Sequence, residues 1–196
     1  MVGNGFVTPT PTATATSIST KTMTTTNFNV KDYCGVNSSE IYEFRRNCYL
    51  KAAKAGEINI LKYLNSEFPE LKNERDDRGY TALTLAAFFA DKDTVKFLIE
   101  EIGMNPTETG FDGRNCFLNA AYGGKIETLE YLNSNFAALK NARDDQQSTA
   151  LTLAAYAADK DTVQFLIEEV GMSAEETGNA GRNPFLSAAV SPTSVG

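Results

Sequence analysis

The chain contains no histidine and no tryptophan. Without imidazole, Ser-His and Cys-His nucleophile pairs, the commonest general base and most zinc or copper sites are excluded together. Cysteine is scarce. Cys34, Cys48 and Cys116 are an odd number with no close pair spacing, which argues against a disulfide framework or a cysteine-rich metal site and for a reduced compartment. Positive charge is in deficit, with 18 Lys and Arg against 25 Asp and Glu and a net charge of −7. That balance opposes the phosphate backbone, so nucleic acid and anionic membrane surfaces are poor partners. No apolar run approaches the roughly 20 residues that span a bilayer, and the N-terminus lacks the apolar segment of a secretory signal. These absences point to a cytoplasmic protein without catalytic residues, cofactor or metal.

Apolar residues are still plentiful, at 42% of 196, enough for a core of ordinary size. Their distribution divides the chain. Between Thr8 and Thr26 stand ten threonines with Pro9 and Pro11 and almost no large apolar side chains, so nothing there offsets the entropy of ordering. Residues 1–33 are therefore expected to form a disordered Thr-rich tail. A plain linker, a phosphorylated or glycosylated stretch, and a signal exporting an effector into a host cell all fit that composition. An organelle transit peptide fits less well, because Lys21 and Lys31 are the only basic residues before Arg45. Residues 34–46 include Ser38-Ser39-Glu40-Ile41-Tyr42-Glu43-Phe44-Arg45, which reads as an N-capped amphipathic turn or helix able to cover the open face of a folded region beginning at residue 47.

From residue 47 onward the sequence repeats. Displaced by 68 residues, Arg75–Tyr122 matches Arg143–Val190 at 33 of 48 positions, and Arg46–Glu74 matches Arg114–Ala142 at 17 of 29. A half-period of 34 lies inside that block. It shows in Asn47-Cys48-Tyr49-Leu50-Lys51-Ala52-Ala53, Thr81-Ala82-Leu83-Thr84-Leu85-Ala86-Ala87 and Asn115-Cys116-Phe117-Leu118-Asn119-Ala120-Ala121, and again from Thr149 and Asn183. Each unit reads as two short helices. Leu83, Ala86 and Ala87 share one helical face, and the paired alanines admit a close neighbour. Asp91 is a good N-cap for a second helix on which Val95, Leu98, Ile99 and Ile102 recur at helical spacing before Gly103. Between units, Asn105-Pro106-Thr107-Glu108-Thr109-Gly110-Phe111-Asp112-Gly113 carries turn residues.

In these motifs the chain resembles the ankyrin-repeat family, written around Thr-Pro-Leu-His-x-Ala-Ala, an inter-helix Gly and a Val-x-x-Leu-Leu helix with a period of about 33. A tetratricopeptide array also repeats at about 34 but needs a Trp and Leu-Gly pattern that is missing here. The resemblance implies an all-α solenoid of helix-turn-helix units over residues 47–196, with four complete units and a fifth lacking its second helix. Departures are informative. The motif Pro survives only as Pro184, and the motif His is replaced by Leu50, Thr84, Leu118, Thr152 and Leu186. The inter-helix Gly is Gly56 and Gly124 in two units but Ala90 and Ala158 in the others. The additional residue per unit is expected near Ile102 and Val170, in a second helix one residue longer.

Family resemblance also implies the function: binding another protein through a concave face of turn tips and first helices. Those places hold Arg78, Tyr80, Phe88, Phe89, Phe111, Arg114, Tyr122, Ser148, Tyr156 and Arg182, and aromatic and Arg side chains are frequent interface anchors. The alternative is an interaction arm or fragment of a larger multidomain protein, which the unfinished fifth unit favours. That unit leaves Phe185 and Leu186 half covered, a route to self-association. The acidic pairs Asp76-Asp77, Asp144-Asp145, Glu100-Glu101 and Glu168-Glu169 recur with the repeat, so they read as solvated turn and helix-end residues rather than paired catalytic carboxylates. Cys48 and Cys116, two units and so roughly 20 Å apart, are beyond disulfide reach of each other and read as packing residues.

Overall fold

The structure, a computed structural model, describes residues 41–157, 159–175, 177, 183 and 184, with the backbone alone for 41–44. The Thr-rich tail, most of the fifth unit and Arg182 lie outside the described residues. Eight α-helices are described, and they come in four pairs. These are α1 (Ile41–Ala55) with α2 (Ile58–Glu67), α3 (Ala82–Phe89) with α4 (Lys92–Glu100), α5 (Cys116–Tyr122) with α6 (Ile126–Asn135), and α7 (Ala150–Tyr156) with α8 (Lys160–Glu168). First helices stack in series, α1 on α3 on α5 on α7, and each second helix packs on the first helix of its own pair. Among the described residues there is no β-strand, only an isolated antiparallel bridge between Arg75 and Thr81. The fold is an all-α helical repeat solenoid.

Helices this short do not persist alone in water, so their ends and their packing must hold them. Thr81 and Thr84 form a reciprocal capping box. The Thr81 hydroxyl accepts from the Thr84 N–H at 3.2 Å, and the Thr84 hydroxyl accepts from the Thr81 N–H at 2.9 Å. Thr149 and Thr152 repeat it at 3.3 and 2.8 Å. Thr84 and Thr152 stand where the family motif has His, and they tie the turn to the helix within one unit. At α5 the Asn115 side chain accepts from the Leu118 N–H at 3.0 Å. Asp91 caps α4, accepting from the Thr94 N–H at 2.9 Å and its hydroxyl at 2.8 Å. Burial alone would push the Asp91 carboxyl up, but the Thr94 hydrogen bonds, with the Asp91 N–H and the Lys125 charge, together outweigh it and hold the group below the usual carboxylate range.

Packing follows the 34-residue register. Tyr49, Leu83, Phe117 and Leu151 are equivalent and fully buried, as are Leu64, Leu98, Leu132 and Leu166 on the second helices. Burial of each Leu or Phe among them contributes roughly 1.5–3 kcal/mol. The alanine pairs Ala86-Ala87 and Ala120-Ala121 are 0% exposed and let consecutive first helices approach closely. The approach is tightest at Gly123, where any Cβ would collide with the Phe88 carbonyl oxygen.

Connections between units alternate, which accounts for the 68-residue period. After α2 and α6 the chain passes through Phe68 and Phe136 into 3-10 turns, Pro69–Asn73 and Ala137–Asn141, that bury Leu71 and Leu139. After α4 and α8 it turns at Gly103 and Gly171, with φ of 74° and 73°, and the N–H groups of Met104 and Met172 return to Leu98 and Leu166 at 3.0 and 2.9 Å. The expected lengthening of the second helix at Ile102 and Val170 does not occur. α4 and α8 end at Glu100 and Glu168, and Ile102 and Val170 are buried in the turn beyond. The turn back to the helix end needs those apolar residues inside, off the helical path.

Of the two cysteines read as packing residues, Cys116 fits that reading and Cys48 departs from it. Cys116 is a free, buried thiol whose Sγ lies 3.2 Å from the Pro106 carbonyl oxygen, and burial pushes its pKa to about 12. Cys48, equally buried, is disulfide-bonded, against the expectation of an unpaired packing residue. The distance to Cys116 excluded that one pairing and no other.

Gln147 holds a φ of 60° where Gly79 and Gly113 stand in the other units, at 75° and 74°. Gln147→Gly should therefore stabilise by about 0.5–1 kcal/mol, the left-handed strain less the backbone entropy of glycine. Gly113→Ala, whose Cβ would strike the Asp145 carboxylate and backbone, should cost about 1–3 kcal/mol. Urea unfolding measures both, and a Gln147→Gly protein no more stable than its parent would refute the strain. Asp91→Ala should cost about 1 kcal/mol at pH 7 as a lost cap. Because the folded pKa lies below the unfolded one, that contribution is present above the unfolded value and is lost as pH falls through the folded one. The gap in stability between Asp91→Ala and the parent should close in acid.

Candidate functional site

Turns and first helices together bound a groove of about 430 Å³, lined by Lys54, Arg78, Tyr80, Phe88, Phe89 and Tyr122 among others. Each wall has a local cause. On the turn side, one oxygen of Asp76 accepts from the N–H groups of Arg78 and Tyr80 at 2.9 and 2.8 Å. Asp144 does the same for Gln146 and Ser148 at 3.0 and 2.7 Å. These are Asx-type turns, in which the side chain satisfies backbone donors that the chain reversal leaves open. The first Asp of each turn pair is thus structural, and Asp144, expected to be solvated, is only 2% exposed because its turn donors and Arg114 enclose it.

The turns are also stitched to one another. Arg75 donates to the carbonyl oxygens of Gly79 and Thr109 at 2.8 and 2.7 Å, and Arg143 to those of Gln147 and Thr177 at 3.1 and 3.0 Å. The Tyr80 hydroxyl donates to Asp112 at 2.8 Å. Burial, then that hydrogen bond and the Asp112 charge, push the Tyr80 phenol up to about 12. Arg114 Nε lies 3.1 Å from the Asp144 carboxylate and 3.3 Å from that of Asp112, and its guanidinium sits 4.8 Å above the Tyr122 ring. Buried charge pairs of this kind fix orientation more than they add stability.

The helix side carries an aromatic ladder. Phe88, Tyr122 and Tyr156 are spaced by 34 residues, one to a unit. Phe88 and Tyr122 lie 5.3 Å apart edge to face, Tyr122 and Tyr156 6.3 Å, and Phe89 adds an edge contact to Phe88 at 4.5 Å. The place equivalent to Phe88 in the first unit holds Lys54, whose ammonium stands 4.0 Å over the Phe89 ring. Lys125 donates to the Phe89 carbonyl oxygen at 3.0 Å, closing the end of α3.

Of the residues singled out in the sequence, Arg78, Tyr80, Phe88, Phe89, Arg114 and Tyr122 are brought together in this groove. Tyr156 extends the ladder beyond it. Ser148 is taken up by the Asp144 turn, and Phe111, 81% exposed at a turn tip, stands outside the groove beside Gly79. Arg182 is not among the described residues. Lys54 was missed, although its register with Phe88 was available in the sequence; aromatic character draws attention to a rung, and a lysine on the same rung does not.

Among the described residues no group of His, Cys, Asp or Glu could hold a metal ion, and no helix is long and apolar enough to cross a membrane. Stacked helix pairs with stitched turns and an open groove beside them define a repeat solenoid. The family model for ankyrin repeats (three copies) matches residues 23–110 and 90–177, and the chain belongs to the ankyrin-repeat family. Comparison with curated protein sequences gave no match. Ankyrin-repeat domains are generally protein–protein interaction modules and typically non-catalytic.

Arg114 is the member of the groove on which the turns depend. Arg114→Ala leaves the Asp144 carboxylate buried with backbone donors alone and should cost about 1.5–3 kcal/mol, the usual worth of a hydrogen bond to a charged group. Arg114→Lys should recover only part of that, since an ammonium cannot reproduce the guanidinium's stacking and fork. Urea midpoints of the two variants check this, and equal stability of Arg114→Ala and the parent would contradict it.

Proposed function

We propose that the chain is a protein-interaction module that seats a segment of a partner protein in the groove between its turns and first helices. One observation carries the reading. The Phe88, Tyr122 and Tyr156 ladder, with Phe89 44% exposed beside it, places half-buried aromatic rings along the groove where the first unit keeps a lysine, and of the ladder Tyr122 also packs against the core. Rigid aromatic rings gain contact area at small entropic cost, which is why they dominate binding hot spots. The turns behind them are already tied by Asp76, Asp112 and Asp144, so little ordering remains to be done when a partner arrives.

A partner recovered by affinity capture on the full chain and identified by mass spectrometry should lose at least about tenfold in affinity on Phe88→Ser/Phe89→Ser, about 1.4 kcal/mol. Thermal unfolding should shift only by the few degrees that loss of the ring contacts costs. Lys96→Ala, on the outer helix α4 where Lys96 pairs loosely with Glu100 at 3.9 Å, should leave affinity unchanged. Equal losses from the outer and inner substitutions would refute the groove as the binding face.

A further inference from the structure

The exposed, unpaired charges of the groove are opposite in sign to the excess charge of the chain. Its lining includes Lys54, Arg78 and Arg114 with a single carboxylate, Asp76, in a protein of net charge −7. Arg114 is matched by Asp112 and Asp144, and Asp76 is engaged by the backbone donors of its own turn. Lys54 and Arg78 differ. Both are exposed, and among the described residues neither makes an ion pair. Lys54 rests on the Phe89 ring instead, and Arg78 contributes only its backbone N–H to the turn. Two exposed cations without an ion-pair partner therefore share the lining with aromatic rings, while the carboxylates near them are held by Arg114 or by their own turns.

Resting on the protein-binding reading above, we infer that the occupant of the groove is an acidic segment of another protein, with a large apolar side chain among its carboxylates. The apolar side chain packs on Phe88 and Phe89, and the carboxylates meet the Lys54 ammonium and the Arg78 guanidinium, which can accept one in a forked pair. A basic segment would meet the same two cations unpaired, and this repulsion selects against it as much as attraction selects the acidic one. A nucleic acid is a poorer fit. Two free cations are short of a track for successive phosphates, and the rest of the surface repels a polyanion. A short acidic segment presents only the few charges that the groove can answer.

The experiment is selection from a random-peptide phage library on the full chain, on Lys54→Glu/Arg78→Glu and on Phe88→Ser/Phe89→Ser, each first shown by circular dichroism to keep its helix content. Peptides enriched on the unaltered chain should carry net negative charge and a Phe, Tyr or Leu. Synthetic copies should lose about tenfold in affinity on Lys54→Glu/Arg78→Glu, lose a similar factor when their Asp and Glu become Asn and Gln, and weaken as salt rises. Lys54→Gln/Arg78→Gln should act in the same direction more weakly, and serves if the reversal fails to fold. Enriched peptides that are neutral or basic yet depend on Phe88 and Phe89 would overturn the acidic occupant and leave the protein-binding groove standing. Peptides indifferent to both double variants, or no enrichment at all, would overturn both readings. Single-stranded RNA bound through Lys54 and Arg78 in place of any peptide would overturn the inference in favour of a nucleic acid.

Discussion

Everything in this molecule depends on the closeness with which one first helix can lie on the next. A pair of helices of seven to ten residues has an apolar face that it cannot cover by itself. Only contact with an equivalent pair removes that face from water. The alanine pairs and Gly123 make the contact possible by bringing backbone against backbone, and the 34-residue register makes it the same at every step. Larger side chains in those places would separate the helices, uncover Leu83 and Phe117, and open the turns that hang from them.

That closeness also dictates where function can reside. Because the inner positions of the first helices are filled by Ala and Leu, freedom to vary is confined to their outer ends and to the turns. There the chain places Lys54, Phe88, Tyr122 and Tyr156 in one row and Arg46, Tyr80, Arg114 and Ser148 in another, each spaced by 34 residues. The second row became the stitching of the turns and the first became the ladder. Arg114 belongs to both, being paired with Asp144 and stacked on Tyr122, so groove shape and turn stability are coupled through one side chain.

The repeat, the helix pairs, the caps at Asp91 and the turn role of the paired aspartates were legible in the sequence because each rests on a local rule: period, face or capping chemistry. What was not legible depends on three-dimensional neighbours. Residue type does not distinguish Asp144, nearly inaccessible, from Asp145 beside it, which is exposed; the difference is that Asp144 is held both by its own turn and by Arg114, thirty positions away. Tyr80 and Arg114 looked like free anchors and are largely committed to Asp112 and Asp144. Phe111 looked like part of one face with Phe88 and lies at a tip outside it. The second-helix lengthening failed for a similar reason, since hydrophobic spacing at Ile102 and Val170 fits a continuing helix and a buried turn equally well.

The alternation of connectors has a consequence for how such a chain can grow. A 3-10 turn that buries Leu71 or Leu139 comes after every odd pair, and a glycine reversal after every even one. A single pair duplicated on its own would set two connectors of the same kind in succession, and the next first helix would start from the wrong exit. Duplicated in twos, the pattern closes on itself without adjustment. The structural cassette of this protein is therefore the double unit, the same unit over which Arg75–Tyr122 and Arg143–Val190 are closely identical.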